Sequence, residues 1–498
     1  MKNIIKSLLL SAIFFTSCND VDFGETNDNI NGATKYDAAS LLSGAILDFA
    51  TNSGRDYQSN TTCYAQYQTQ VVYTTEMRYG EEPHDWAEYY QKDLGNLQTI
   101  INFVGNPANQ TGPVLAQGSV NNQIGVAMIF KAIILKRVTD TYGDIPNSDA
   151  LKGAASLNPK YDSQEIVYKS ILSDLKEGRD KIKLDELAPS GDVLYGKNLS
   201  KWLKLANSVI LQASLQLSKK YPANTELAAT AFNEALNNSN GVIESVSDEA
   251  WFVYDTSKGF RNPISQNRST DYRMSREFTD ALKGLTTDYN RTSNHTNDPR
   301  LTIFANSIVK DGLPYGYSSA SLTALGISAA TSVCSQMNVA LRGNDSKMCL
   351  ISSAYTYLNR AEAAALGWTT EDALSMLDSG IKKSFESLKT NLVPASTINS
   401  TDYAAARAID AASNLLKVIR EEKWVSLFPN GFDAWAEWRR TSVPDLKPAT
   451  DFLNSGVIPG RFNYPKSELT LNVANYNLGI NGLVPATDNN SSKVWWAQ

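Results

Sequence analysis

The sequence predicts a mainly α fold, built from helix pairs that carry long loops, with minor β structure. Two patterns predict it. Apolar residues recur at helical spacing in several separate blocks, the mark of a buried helix face. Between the blocks, stretches 54–85, 247–272 and 290–344 are rich in Gly, Pro, Asn and Ser and read as long loops, where binding residues usually sit. The scale fits a globular protein. The 498 residues are 42% hydrophobic and 20% charged, with ample length for a large core.

Taken in order, residues 1–17 read as a secretion signal. Lys2 and Lys6 give a positive start, Leu8 to Phe15 a short apolar core, and Thr16 and Ser17 the small residues before a cleavage point. The run is too short to span a bilayer. Cys18 follows directly, which predicts lipid attachment at its thiol and a mature protein held at a membrane by acyl chains. Residues 18–38 are polar and rich in Asn, Asp and Gly, a flexible tether. Residues 39–498 read as one folded unit. Val126, Ile129, Phe130, Ile133 and Ile134 mark one helix face. Leu203, Ala206, Ile210, Ala213 and Leu217 mark another, with Ser200 as its expected cap and Tyr221-Pro222 as its stop. Ile351, Ala354, Tyr355 and Leu358 begin a third, ending at Gly367. Thr369 to Asp372 then reads as a capping box before Leu374, Leu377, Ile381 and Phe385. This helix pair has about the tetratricopeptide length. Ala406 to Phe428 gives one more helix.

The net charge of −6 and the lack of a basic run argue against nucleic acid as a partner. Only His84 and His295 are present, which weakens metal-hydrolase and Ser-His-Asp readings. No HExxH, GxSxG, P-loop or CxxC pattern occurs. Carboxylates such as Asp144, Asp255, Asp271, Glu421 and Glu437 read as solvated or structural, and Asp288 and Asp298 lie outside any calcium-loop pattern. With Cys18 lipidated, Cys334 and Cys349 are compatible with a disulfide that leaves Cys63 free, a pairing the sequence leaves open. No catalytic residue, metal ligand or cofactor is assigned.

The aromatic content is more informative. Nine Trp and 23 Tyr supply flat faces with polar ends, which suits carbohydrate or peptide binding. The densest loop cluster is Arg78, Tyr79, His84, Trp86, Tyr89 and Tyr90. There, rings would stack on pyranose faces while polar ends reach hydroxyls. Trp86 and Tyr90 share a face if helical, and the same spacing fits a face packed inward. A second loop holds Arg261, Asn267, Arg268 and Tyr272, and a third holds Tyr315 and Tyr317.

Several ordered segments carry a family resemblance. Val138 to Pro146 (VTDTYGDIP), with Ser148 to Leu151, Trp202 to Ser208 (WLKLANS) and Asn297 to Leu301 (NDPRL) come first. Ala361 to Ala363 before Gly367-Trp368, Glu422 to Trp424, Gly431 to Trp435, and Trp438 to Thr441 before Pro444 follow. Arg461, Tyr464-Pro465, Glu468 and Asn472, then Lys493 to Trp496, complete the set. Together they resemble the SusD/RagB family of outer-membrane nutrient-binding lipoproteins of Bacteroidetes, with Asn147 and Asp433 as departures. The resemblance implies a SusD-like fold with tetratricopeptide-like helix pairs. It also implies a cell-surface lipoprotein that captures oligosaccharides or peptides and delivers them to a SusC-like TonB-dependent transporter, with no reaction catalysed. The shared motifs read as scaffold, so they do not place the ligand site. Two other classes remain open: a lipid-anchored helical glycoside hydrolase, which requires two facing carboxylates, and a tetratricopeptide-type adaptor, which requires a large apolar groove.

Overall fold

The computed structural model describes residues 36–52, 55–81, 83–287 and 292–498. The secretion signal, the Cys18 lipidation site and nearly all of the expected tether lie outside them. Residues 38–498 form one unit. Its principal helices are α1 (Ala38–Asn52), α2 (Arg55–Tyr64), α3 (Gly95–Gly105), α4 (Val120–Tyr142), α5 (Gln164–Lys181), α6 (Leu199–Gln216) and α7 (Leu227–Leu236). After a loop-rich centre containing α8 (Arg276–Lys283) come α9 (Ser353–Ala365), α10 (Ala373–Asn391), α11 (Thr401–Ser426), α12 (Gly431–Thr441) and α13 (Val473–Ile480).

Helices pair in sequence order, α4 with α5, α6 with α7 and α9 with α10. At the α4–α5 crossing the backbones touch. A Cβ on Gly125 would lie 2.7 Å from the Gly178 carbonyl oxygen, so only glycine allows this approach. The α6 stripe is buried as expected, but so is nearly everything from Trp202 to Gln216, because α5, α7 and α9 surround this helix. Its cap is Asn198, whose side chain accepts from the Lys201 N–H, while Ser200 lies within the first turn. Ser352 caps α9, and Ile351 belongs to a strand. Asp372 caps α10, accepting from the Ser375 N–H at 2.8 Å, so the cap lies three residues after Thr369, where the capping-box reading places it. Leu358, Leu377, Ile381, Phe385, Tyr403 and Ile419 join α9, α10 and α11 in one apolar cluster. Helix α11 starts earlier than expected and breaks at Asn414 (φ −159°, ψ 78°).

Among the described residues the β content is three two-stranded antiparallel ribbons: β1 (Gln68–Gln70) with β5 (Tyr272–Met274), β2 (Ile145–Pro146) with β3 (Tyr161–Asp162), and β4 (Ala250–Phe252) with β6 (Met348–Ile351). Each is too short to stand alone, so each depends on the helices around it.

Two buried ion networks account for four of the ordered motifs, those at Asn297–Leu301, Ala361–Ala363, Glu422–Trp424 and Trp438–Thr441. Glu362 on α9 accepts from Arg440 (2.7 and 2.9 Å), from Arg420 (2.8 Å) and from Lys423, and Arg440 also reaches Glu437. Arg300 binds Asp298 through both oxygens and Glu422 at 2.8 Å, and Arg407 joins Glu422 to Glu421. Arg300 and Asp298 are fully buried, so Asp298 is an ion-pair partner here. Arg440 therefore pairs with Glu437, whereas Glu421 belongs to Arg407 and the Ser293 hydroxyl. Asp144 accepts from the Gln164 N–H at 2.8 Å, a backbone-satisfying role. Cys63, Cys334 and Cys349 are all free thiols, so Cys334 and Cys349 form no disulfide.

Candidate functional site

The aromatic cluster expected at 78–90 is largely interior. Trp86 is 5% exposed and packs edge-on against Tyr90, Tyr142, Tyr161 and Tyr464 at centroid distances of 5.1–5.8 Å. Tyr90 donates to the Pro146 carbonyl at 2.6 Å. Tyr89 opens a π-helical turn, Tyr89–Leu94, and is buried against Phe49. Tyr79, Tyr272 and Tyr315 are buried as well. These rings offer no open face, because the loops that carry them fold back onto the helical core. Replacing Trp86 by alanine is expected to cost about 3–5 kcal/mol of stability, as for other buried aromatic truncations, with a fall in melting temperature as the readout.

His84 is also interior. Its ring stacks on Phe462 at 3.7 Å, Asn60 lies 3.3 Å from Nε2, and burial lowers its pKa to about 4. A depressed histidine pKa favours the neutral form. Its contribution is complete above the unfolded value of 6.5 and is lost as pH falls toward 4. Stability should drop by about 1.4 kcal/mol per pH unit across that window, and His84→Gln should flatten the slope in urea unfolding.

What these loops expose is different. β1 leads through Val71, whose N–H donates to the Asp271 carbonyl, into Val72 and Tyr73. Tyr73 has φ +56° and is 68% exposed. The chain then turns back along β1. Gln70 Oε1 accepts the Met77 N–H at 3.0 Å, and the Met77 sulfur accepts from Gln70 N–H and Thr69 Oγ1. Tyr315 donates to the Met77 carbonyl at 3.0 Å, so the buried tyrosines act as pins for the loop.

A second segment, 446–458, clamps this turn. Arg78 Nε donates to the Asp451 carbonyl and the Leu453 N–H donates to the Arg78 carbonyl, both at 2.7 Å. The Ala449 N–H donates to Tyr79 Oη at 3.0 Å. A third segment, 315–325, joins through Asp451, which donates its N–H to Gly316 and accepts from Ser318 N–H at 2.7 Å. Ser319 Oγ donates to the Val71 carbonyl at 2.7 Å. Phe452, 49% exposed, sits on Gly456, where a Cβ would meet the ring at 3.1 Å and φ is +80°.

Tyr73 and Phe452 are the most exposed aromatic side chains among the described residues, and Val72, Leu453 and Val457 lie exposed beside them in the same loops. The tied loops thus carry two open rings, Tyr73 on the first and Phe452 on the second. Of the expected contacts, Arg78 is at this surface and partly buried, and Arg268 is exposed one short turn before Asp271, whose carbonyl receives Val71. Tyr317 packs into the small apolar cluster under the third loop. Sequence reasoning passed over both exposed rings. The signal for Phe452-Leu453 was a bulky apolar pair inside Asp-Phe-Leu-Asn-Ser-Gly, among turn-forming residues with no helical partner positions.

Glu421 and Glu437 are buried in ion pairs, and Asp255 is tied to Lys258 and Ser257. No cluster of three or more metal-ligating side chains occurs among the described residues.

Residues 30–465 match a SusD-like family model described as starch-binding associating with outer membrane. The chain belongs to the SusD-like family. The SusD-like fold agrees with solved structures at low sequence identity. A chitin-binding protein superposes with TM-score 0.77 at 24% identity, covering 93% of this chain and all of its own. A chitin-binding SusD homologue from Flavobacterium johnsoniae gives 0.71 at 22%, covering 92% of this chain and 98% of its own. An outer-membrane protein from Bacteroides vulgatus, described as probably involved in nutrient binding, gives 0.74 at 24%, with 93% and 100% covered. No curated protein matches the sequence. No helix among the described residues is long and apolar enough to cross a membrane.

Proposed function

We propose that this SusD-like protein is a lipid-anchored surface receptor that captures oligosaccharides and passes them to a SusC-like TonB-dependent transporter in the outer membrane. The observation that carries the reading is the Tyr73–Phe452 surface. Two open rings on loops held by backbone hydrogen bonds suit stacking against sugar faces, and Arg78 and the loop amides supply polar contacts. The family description and the chitin-binding relatives support a saccharide as the ligand class. The Cys18 signal supports the anchor, and the family supports the outer-membrane setting. The protein acts by binding alone. A shallow site with two ring platforms implies modest affinity.

The test is calorimetry on the chain from Asn19, titrated with starch- and chitin-derived oligosaccharides and with peptides, each mixture then analysed for cleavage. Saturable heat with a saccharide and no products supports capture. Products would favour a hydrolase, and silence across all ligands would favour an adaptor.

A further inference from the structure

A second cavity, of about 310 Å³, opens beside the same 446–458 segment. Its apolar wall is Trp438, Leu446, Pro448 and Ile458. Trp438 is held in place by its Nε1–H bond to the Pro444 carbonyl at 3.1 Å. Ser442 and Ser491 add hydroxyls. Three cations complete the lining: Lys219, Arg439 and Lys493.

No salt bridge joins these three cations to a carboxylate among the described residues. Arg300, Arg407, Arg440 and Lys423 are each matched by carboxylates, whereas buried Arg273, like Arg439, donates to backbone carbonyls. Arg439 is buried, stacks on Trp435 at 3.6 Å and Trp496 at 4.8 Å, and donates to the carbonyls of Asp140 and Gly460. The Asp140 carboxylate is itself held by Lys136, Tyr168 and Trp496. Burial lowers the Arg439 pKa to about 9. Lys219 Nζ donates only to the Ala497 carbonyl, at 3.3 Å. Burial lowers its pKa, and the positive charges of Lys493, Arg440, Lys220 and Arg420 add to the effect. On a chain of net charge −6, the pocket gathers three positive side chains: Arg439, which Asp140 partly offsets, and the exposed Lys219 and Lys493.

We propose that this pocket binds a uronic acid residue of an acidic saccharide, with the sugar ring against Trp438 and the carboxylate between Lys219 and Lys493. An apolar indole wall with two ammonium groups and hydroxyls matches a flat ring bearing one carboxylate. The volume lies at the lower end for small-ligand sites, enough for a terminal sugar but not a long chain. The choice of a saccharide as the body of the anion rests on the receptor reading above. The 446–458 segment serves both surfaces, with Phe452 and Leu453 at the open face and Leu446, Pro448 and Ile458 in the pocket.

The test uses trigalacturonate and its methyl ester, the same body without charge, followed by calorimetry and indole fluorescence at low and physiological salt. The free acid should bind saturably, at least tenfold more tightly than the ester, and weaken as salt rises. Lys219→Gln/Lys493→Gln should cut acid binding at least tenfold with an unchanged melting temperature and unchanged binding of neutral oligosaccharides. Equal binding of acid and ester, or a double variant that binds like the parent, overturns the proposal. Tighter binding of a peptide with a free C-terminal carboxylate than of trigalacturonate overturns the saccharide assignment. Neutral glycans binding while the acid does not would remove the pocket and leave the receptor reading standing, whereas silence from both would remove both.

Discussion

Glu362→Gln is expected to destabilise the fold by about 3–5 kcal/mol, the cost of removing one partner from a buried ion network. Glu362 is fully buried and is the common acceptor for Arg440, Lys423 and Arg420. Glutamine keeps the shape but supplies no charge, so Lys423 and Arg440 would share Glu437 and Arg420 would lose its carboxylate partner. Burial alone would raise the Glu362 pKa, but the attraction of Arg440 and Lys423, with Arg420, outweighs it and holds the carboxyl well below the usual 4.5. The sign follows. Stability from this group is present above the unfolded pKa and is lost as pH falls through the lower folded value. Urea unfolding at pH 7 and at pH 4 checks both parts. The parent should lose stability toward acid more steeply than the variant, and a difference below 1 kcal/mol at pH 7 would remove the network from the stability account.

Tyr73→Ala/Phe452→Ala carries the largest expected effect on function. If these rings are the stacking platforms, removing both should weaken oligosaccharide binding by at least thirtyfold, about 2 kcal/mol or more. Both side chains are exposed, so the melting temperature should stay within a few degrees of the parent. That separates this variant from Trp86→Ala, whose ring is interior and whose loss should act on stability. Full binding by the double variant would move the ligand away from these loops.

The contrast between Trp86 and Tyr73 shows where sequence reading stopped. Both lie in one loop-rich stretch with other aromatics nearby. Spacing placed Trp86 and Tyr90 on one face but could not say what lay opposite. The opposing rings, Tyr142, Tyr161 and Tyr464, are brought there by α4, β3 and the C-terminal loop, all distant in sequence. Tyr73 was singled out by no pattern, and it stands exposed at a residue with a left-handed backbone. In the same way, Cys334 and Cys349 were open to pairing by number, and their separate loop and strand settings leave both as thiols.

The sequence by itself determined the helical class, the α9–α10 pair, and the family. These depend on local periodicity, capping chemistry and ordered motifs, which a linear chain displays directly. The tertiary structure alone decided which aromatics are open, which acids are neutralised and where positive charge is left unmatched. Exposure and charge balance are set by contacts between segments up to hundreds of residues apart. Arg439 shows this most plainly: its motif was legible as scaffold, but its lack of a paired carboxylate emerges only once Asp140, Gly460 and Trp496 fold around it.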